Sequence, residues 1–176
     1  FEGCKSLIQI SIPSTINIIE DRVFSGCIKL TRIEIPSSVT KIGKNAFYGC
    51  SKLERISILS VTEIGERAFY KCSSLKQIIF YNVTAIGEST FEGCSSLTQI
   101  VIPNSVTEIK TKAFYGCSSL AQISFEIPSS VALIDEYAFE GCSRLTLVSI
   151  PSSVTEIRDS SFSGCTSLTR ISIPSS

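Results

Sequence analysis

Phe1, Phe24, Phe47, Phe69, Phe91, Phe114, Phe139 and Phe162 each open the same phrase, Phe-x-(Gly/Lys)-Cys. Neighbouring copies are 22 to 25 residues apart, and seven such steps use almost all of the 176-residue chain. Self-similarity at a period between about 20 and 50 residues marks a stack of equivalent turns, because one turn cannot bury its own apolar face. Each turn of such a stack touches only its neighbours. The expected organisation is therefore a single solenoid over residues 1–176, with seven full repeats and a partial one. The chain opens in mid-repeat and stops at Ile173-Pro174-Ser175-Ser176. Neither end carries a polar capping repeat, the pattern expected of a segment truncated at both ends.

The third turn reads Phe47-Tyr48-Gly49-Cys50-Ser51-Lys52-Leu53-Glu54-Arg55-Ile56-Ser57-Ile58, then Val61-Thr62-Glu63-Ile64-Gly65-Glu66-Arg67-Ala68. The shared pattern is F-x-G-C-x-x-L-x-x-I-x-I-P-x-S-V-T-x-I-G-x-x-A. Its L-x-x-I-x-I piece alternates apolar and polar residues and is rich in Ile, which predicts a short strand. Pro13, Pro36, Pro103, Pro128, Pro151 and Pro174 follow that piece and end the strand, since proline has no amide hydrogen for a ladder. V-x-x-I predicts a second extended piece, and A-F-x-G-C turns the chain back. All six prolines, ten glycines and eight cysteines fall on repeat positions, so local and global signals agree. Lys71 alone replaces glycine in F-x-G-C, where a positive φ or a close backbone approach is expected. In I-G-x-x-A, Gly43, Gly65 and Gly87 alternate with Glu20, Lys110, Asp135 and Arg158, so that backbone conformation is open to ordinary residues.

These positions resemble the BspA-like class of the leucine-rich repeat family, and the match runs through the whole chain. The resemblance implies a right-handed, curved solenoid with about 23 residues per repeat, little helix and a parallel sheet on its concave side. It also implies a class found on bacterial and protist cell surfaces and associated with adhesion to host or matrix proteins. No catalytic motif comes with it.

Composition excludes several other functions. Sixteen basic and sixteen acidic residues balance, so no long-range field steers nucleic acid or an anionic membrane to the chain. Lys41, Lys44, Lys110 and Lys112 are interleaved with glutamates and form no basic stripe. No apolar run is long enough to span a bilayer. The chain has no His, so Ser-His and Cys-His nucleophile activation have no base. No metal-ligand spacing or phosphate loop is present, and no cofactor is expected. Cys4, Cys27, Cys50, Cys72, Cys94, Cys117, Cys142 and Cys165 occur once per turn. Stacked turns hold equivalent side chains about 4.8 Å apart and parallel, a poor geometry for disulfides, whose Cβ atoms lie about 3.5–4.5 Å apart. Free, buried thiols are expected.

The outward strand positions flank the first Ile. One column runs Gln9, Arg32, Arg55, Gln77, Gln99, Gln122, Leu147, Arg170; the other runs Ser11, Glu34, Ser57, Ile79, Val101, Ser124, Ser149, Ser172. Ile79 and Val101 interrupt a column that is mostly Ser, and Tyr81 stands where other turns have Pro. With Arg32, Arg55, Gln77, Gln99 and Gln122 they form the candidate interaction surface, since exposed apolar groups rimmed by polar ones mark binding sites. Either reading remains for its members: a docking patch, or scattered surface apolar residues beside glutamines that hydrogen-bond to one another. The turns after Phe47 and Phe69 are one residue short, and the turn after Phe114 carries a two-residue insertion around Ser124-Phe125-Glu126-Ile127-Pro128. Asn82-Val83-Thr84 is an N-glycosylation sequon. Glu20-Asp21 and Asp135-Glu136 read as solvated surface charges.

The expectation is a non-enzymatic segment of a cell-surface adhesin that binds a protein or glycan through the concave sheet face. An intracellular scaffold on the same solenoid is the alternative. Uncapped ends predict some end-to-end association of the isolated chain.

Overall fold

The computed structural model describes residues 1–123 and 127–173. Each of the first seven turns contributes two short strands and the last contributes one, and like strands stack into two ladders that are hydrogen-bonded in parallel runs of two to four strands. The first ladder consists of β1 (Gln9–Ser11), β3 (Arg32–Glu34), β5 (Arg55–Ser57), β7 (Gln77–Ile79), β9 (Gln99–Ile100), β11 (Gln122–Ile123), β13 (Leu147–Ser149) and β15 (Arg170–Ser172). The second consists of β2 (Ile18–Ile19), β4 (Lys41–Ile42), β6 (Glu63–Ile64), β8 (Ala85–Ile86), β10 (Glu108–Ile109), β12 (Leu133–Ile134) and β14 (Glu156–Ile157). Every pairing is parallel and preserves repeat register, as in Arg55 opposite Gln77, Ile56 opposite Ile78 and Ser57 opposite Ile79. No helix occurs among the described residues. The predicted strand and second extended piece are therefore both present, and the fold is a parallel-strand β-solenoid.

The A-F-x-G-C segment closes the third side of each turn and is neither strand nor helix. Three successive turns run through it, as in Ala46 N–H to Gly43 O (3.3 Å), Tyr48 N–H to Asn45 O (3.1 Å) and Cys50 N–H to Phe47 O (3.1 Å). The intervening amides point along the stack. Asn45, Phe47 and Gly49 donate to Glu66, Ala68 and Tyr70 of the next turn at 2.8–3.0 Å. Aiming alternate amides the same way requires left-handed residues at both ends of the segment. One is the expected glycine, such as Gly49 at φ +68°, with Lys71 in the same conformation at φ 55°. The other precedes the alanine position, held by Val23, Thr90 and Ser161 in three turns, and is never glycine: Arg22, Asn45, Arg67, Ser89, Lys112, Tyr137 and Ser160 have φ between 52° and 60°. The second glycine column has a different cause. Gly43 has no positive φ, but a Cβ there would lie 2.5 Å from the Asp21 amide nitrogen. Close approach of two turns selects glycine at that place.

The interior consists of continuous columns. Phe1 through Phe162 stack ring on ring, with centroids 5.1–5.6 Å apart and planes within 16°. Each fully buried Phe, Leu, Ile or Val contributes about 1.5–3 kcal/mol of transfer free energy. The cysteines are free, and six of the eight are buried. Their role is more specific than filling space. In every turn from the second on, the thiol donates to the carbonyl of the previous phenylalanine at 3.1–3.3 Å, as Cys72 does to Phe47. That carbonyl also accepts the amide of the cysteine in its own turn, so both lone pairs are used. Serine does similar work on another side: Ser38, Ser105, Ser130 and Ser153 donate to Ile16, Val83, Val106 and Val131 carbonyls one turn back at 2.6–2.7 Å.

Burial pushes the Cys50 thiol up to about 12 and raises Cys72, Cys94, Cys117 and Cys142 in the same direction. An unfolded thiol ionises near about 8.5. Above that pH the unfolded chain loses protons that the folded chain keeps. The stabilisation is complete below about pH 8.5 and falls by about 1.4 kcal/mol per pH unit for each such thiol as pH rises. Urea midpoints should therefore hold steady from about pH 6 to 8 and drop between about pH 9 and 12, with a shallower drop in Cys72→Ala. An equal slope in that variant would contradict this account.

Candidate functional site

Alternation along the first ladder decides which side chains face out. Ile56, Ile78 and Ile100 are buried, and so are Ile58, Phe80 and Ile102 two residues on. The residues between them form a grid of three rows: Arg55, Ser57, Leu59; Gln77, Ile79, Tyr81; Gln99, Val101, Pro103. Tyr81 is 61% exposed, Val101 52% and Leu59 50%, while Gln77 and Ile79 are half-buried. Pairing carries past the strand ends, since the Ile58 amide donates to Ile79 O at 2.9 Å. Leu59 therefore stands beside Tyr81. Ile79 and Tyr81 lie on the outward side of one turn and Val101 on that of the next, and Leu59 joins them from the turn before.

Sequence reasoning misses Leu59, although the chain carries a signal for it. Leu59 fills the proline position in the first of the two shortened turns, as Tyr81 does in the second. Deleting one residue from Pro-x-Ser leaves Leu59-Ser60 and Tyr81-Asn82, and the strand-exit side chain faces solvent. Asn82 is itself exposed, and its amide donates to Leu59 O at 2.8 Å. The sequon asparagine thus takes the serine's joining role in this turn and keeps one amide hydrogen toward solvent.

Gln99 lies opposite Gln122 in register. Among the described residues, no hydrogen bond joins the side chains of Gln77, Gln99 and Gln122. Arg32 and Arg55 line an open groove of about 590 Å3 between β3 and β5, floored by Ile33 and Ile56. The Arg32 guanidinium is held by Glu34 at 2.8 Å. Arg55 has no ion pair among the described residues. Its neighbour Glu54 is bound by Lys76 at 2.9 Å, and that hydrogen bond holds the carboxyl below its ordinary range. The insertion residues Ser124, Phe125 and Glu126 lie outside the described residues.

A groove of about 410 Å3 over β4 and β6 is lined by Lys41, Glu63, Lys44 and Glu66, which pair with one another. Asp135 is not the solvated charge that the sequence suggests. Burial opposes its ionisation, but bonds from the Glu136 amide, the Thr111 hydroxyl and the Arg158 guanidinium outweigh it and keep the carboxyl below its ordinary value. Four tyrosines lie along the F-x-G-C side, where Tyr48 stacks on Tyr70 at 4.8 Å and Lys112 sits 5.8 and 5.7 Å from Tyr115 and Tyr137. Among the described residues, no buried side-chain nitrogen or oxygen lacks a partner, and no cluster of His, Cys, Asp or Glu could hold a metal ion. No helix there is long and apolar enough to cross a membrane.

Ladders, phenylalanine stack and thiol bonds together define a leucine-rich-type parallel solenoid with its variable positions on the first ladder. The chain belongs to the BspA-type leucine-rich repeat family, whose model matches residues 1–121 and 121–176. No curated protein matches. Among solved structures, the chain is similar to a leucine-rich repeat protein from Eubacterium ventriosum at 32% identity and TM-score 0.83, covering 100% of this chain and 46% of that one. It is similar to the T. pallidum leucine-rich repeat protein at 38% identity and TM-score 0.85, covering 92% of this chain and 78% of that one. A leucine-rich cell surface protein from Faecalibacterium prausnitzii shares 29% identity at TM-score 0.52, over 100% of this chain and 62% of that one. The chain thus spans about half the length of the first of these.

The alternation has a direct consequence for stability. Phe80→Ala should cost about 3–5 kcal/mol, because its ring is 2% exposed and stacks on Phe91 at 6.3 Å. Tyr81→Ser next to it should stay within about 0.5 kcal/mol. Urea unfolding of the two variants measures the difference, and similar losses would mean that the inward and outward assignments are wrong.

Proposed function

We propose that this chain is a non-enzymatic recognition segment of a cell-surface protein, and that it binds a protein or glycan through the outward face of the first ladder. The grid of Leu59, Ile79, Tyr81 and Val101 beside Arg55 and the three glutamines carries the reading. Among the described residues, exposed apolar area, an aromatic anchor and polar groups without a recorded partner coincide there. Pairing of β5 with β7 sets Arg55 opposite Gln77 and Ser57 opposite Ile79, so a partner meets a largely preformed surface and little ordering cost is incurred on binding. A surface location is supported by the family and by the cell-surface neighbour from Faecalibacterium prausnitzii. An intracellular scaffold would present the same face to a cytoplasmic partner.

Biotinylation of intact cells making the full-length protein separates the two: labelling is expected, and protection until lysis would favour the scaffold. Ile79→Ser, Tyr81→Ser and Val101→Ser combined should weaken capture of the partner by at least tenfold while the melting curve stays in place. Unchanged capture by the folded variant would remove this face as the binding site.

Phe1 is 62% exposed in the first turn and Ile173 65% in the last. The isolated 176-residue chain is expected to associate end to end, read as a rise in mass with concentration by light scattering. A constant monomer mass at the highest concentrations would refute it.

A further inference from the structure

If the first-ladder face is the binding surface, as proposed above, its pattern also defines the chemistry of what lies on it. Along each row of the grid, outward residues recur every second position, about 6.6–6.8 Å apart at the rise of a strand. The rows are polar at the strand start and apolar at the exit: Arg55, then Ser57, then Leu59; Gln77, then Ile79, then Tyr81; Gln99, then Val101, then Pro103. The character of the face therefore changes over about 13 Å, the length of four residues of extended chain. At the polar edge the cation is uncommitted. Arg32 is neutralised by Glu34, Lys76 by Glu54, and Arg55 between them has no ion pair among the described residues and borders the open groove. At the other edge the apolar groups are aliphatic as well as aromatic. Leu59, Ile79 and Val101 outnumber the one aromatic ring, Tyr81, so most of the exposed apolar area here suits apolar side chains better than the hydroxyl-rich faces of a sugar.

We infer that the occupant of this face is an extended protein segment that places a carboxylate against Arg55 and apolar side chains two and four residues further along, against Ile79 and the Leu59–Tyr81 pair. An extended segment matches because its own side chains repeat on one face with the same spacing as the grid. The planar guanidinium of Arg55 receives a carboxylate in two parallel hydrogen bonds. The Gln77 amide, opposite Arg55 in the next turn, can donate to and accept from the segment's backbone beside it. The apolar end supplies the desolvated contact area, and the two-pronged Arg55–carboxylate pair fixes the segment's register and direction.

The inference is tested by selecting a phage-displayed library of random 12-residue peptides on the immobilised 176-residue chain and measuring the affinities of enriched peptides. Enriched sequences are expected to carry Asp or Glu with apolar residues two and four positions away on one side. Arg55→Ala should weaken them at least tenfold. Arg55→Glu should abolish binding and regain it when the peptide's acidic residue is exchanged for Lys. Tyr48→Ser, on a different side of the turn, should leave affinity unchanged. Peptides that lose binding to the Leu59→Ser, Tyr81→Ser, Val101→Ser variant but show no acidic residue at that spacing would overturn this inference and leave the face as the binding site. Peptides that bind that folded variant as well as they bind the parent chain would overturn both. Enrichment of no peptide, with saturable binding to a neutral glycan array that the same variant loses, would replace the protein segment with a sugar.

Discussion

Everything in this molecule depends on hydrogen bonds that run from one turn to the next. Within a turn the strands are only two or three residues long, too short to persist alone. The F-x-G-C side supplies the strongest coupling: three backbone amides per turn reach forward to the next turn, and one thiol reaches back to the previous phenylalanine carbonyl. Because these bonds point along the stack, each turn is held at one height and one rotation relative to its neighbour. The phenylalanine rings can then lie nearly parallel, and paired strands in both ladders keep the repeat register.

That rigidity explains why variation collects where it does. Inward columns tolerate little, since a change of volume propagates to two neighbouring turns. Outward positions of the first ladder are free of such constraints and differ from turn to turn. The two shortened turns show how a small change in the repeat makes a surface. Losing one residue removes the proline corner, and the side chain that leaves the strand becomes Leu59 or Tyr81, exposed next to its equivalent. Asn82 replaces the joining serine, so the stack continues without interruption.

Much of this architecture is legible in the chain alone. Period and alternation identify both strands, the buried columns and the free thiols, because each follows from spacing. Ile79, Tyr81 and Val101 stand out as departures from a column. Leu59 escapes notice when it is compared with surface residues in general and not with the proline position it fills. Asp135 reads wrongly as a solvated charge because nothing local shows that Thr111 and Arg158, one turn to either side, converge on it. The second left-handed position is invisible as well, since Arg, Asn, Ser, Lys and Tyr occupy it and no glycine marks it.

By itself the sequence determined the repeat unit, the number of turns and the inward or outward sense of most strand residues. These depend on local alternation and on an interval between like residues, which are properties of a string. Only the tertiary structure decided what faces what across turns: the thiol on the phenylalanine carbonyl and the carboxylate of Asp135 between two turns. Those contacts join residues more than twenty positions apart, and their partners are selected by the rise and rotation between turns, which no single turn encodes.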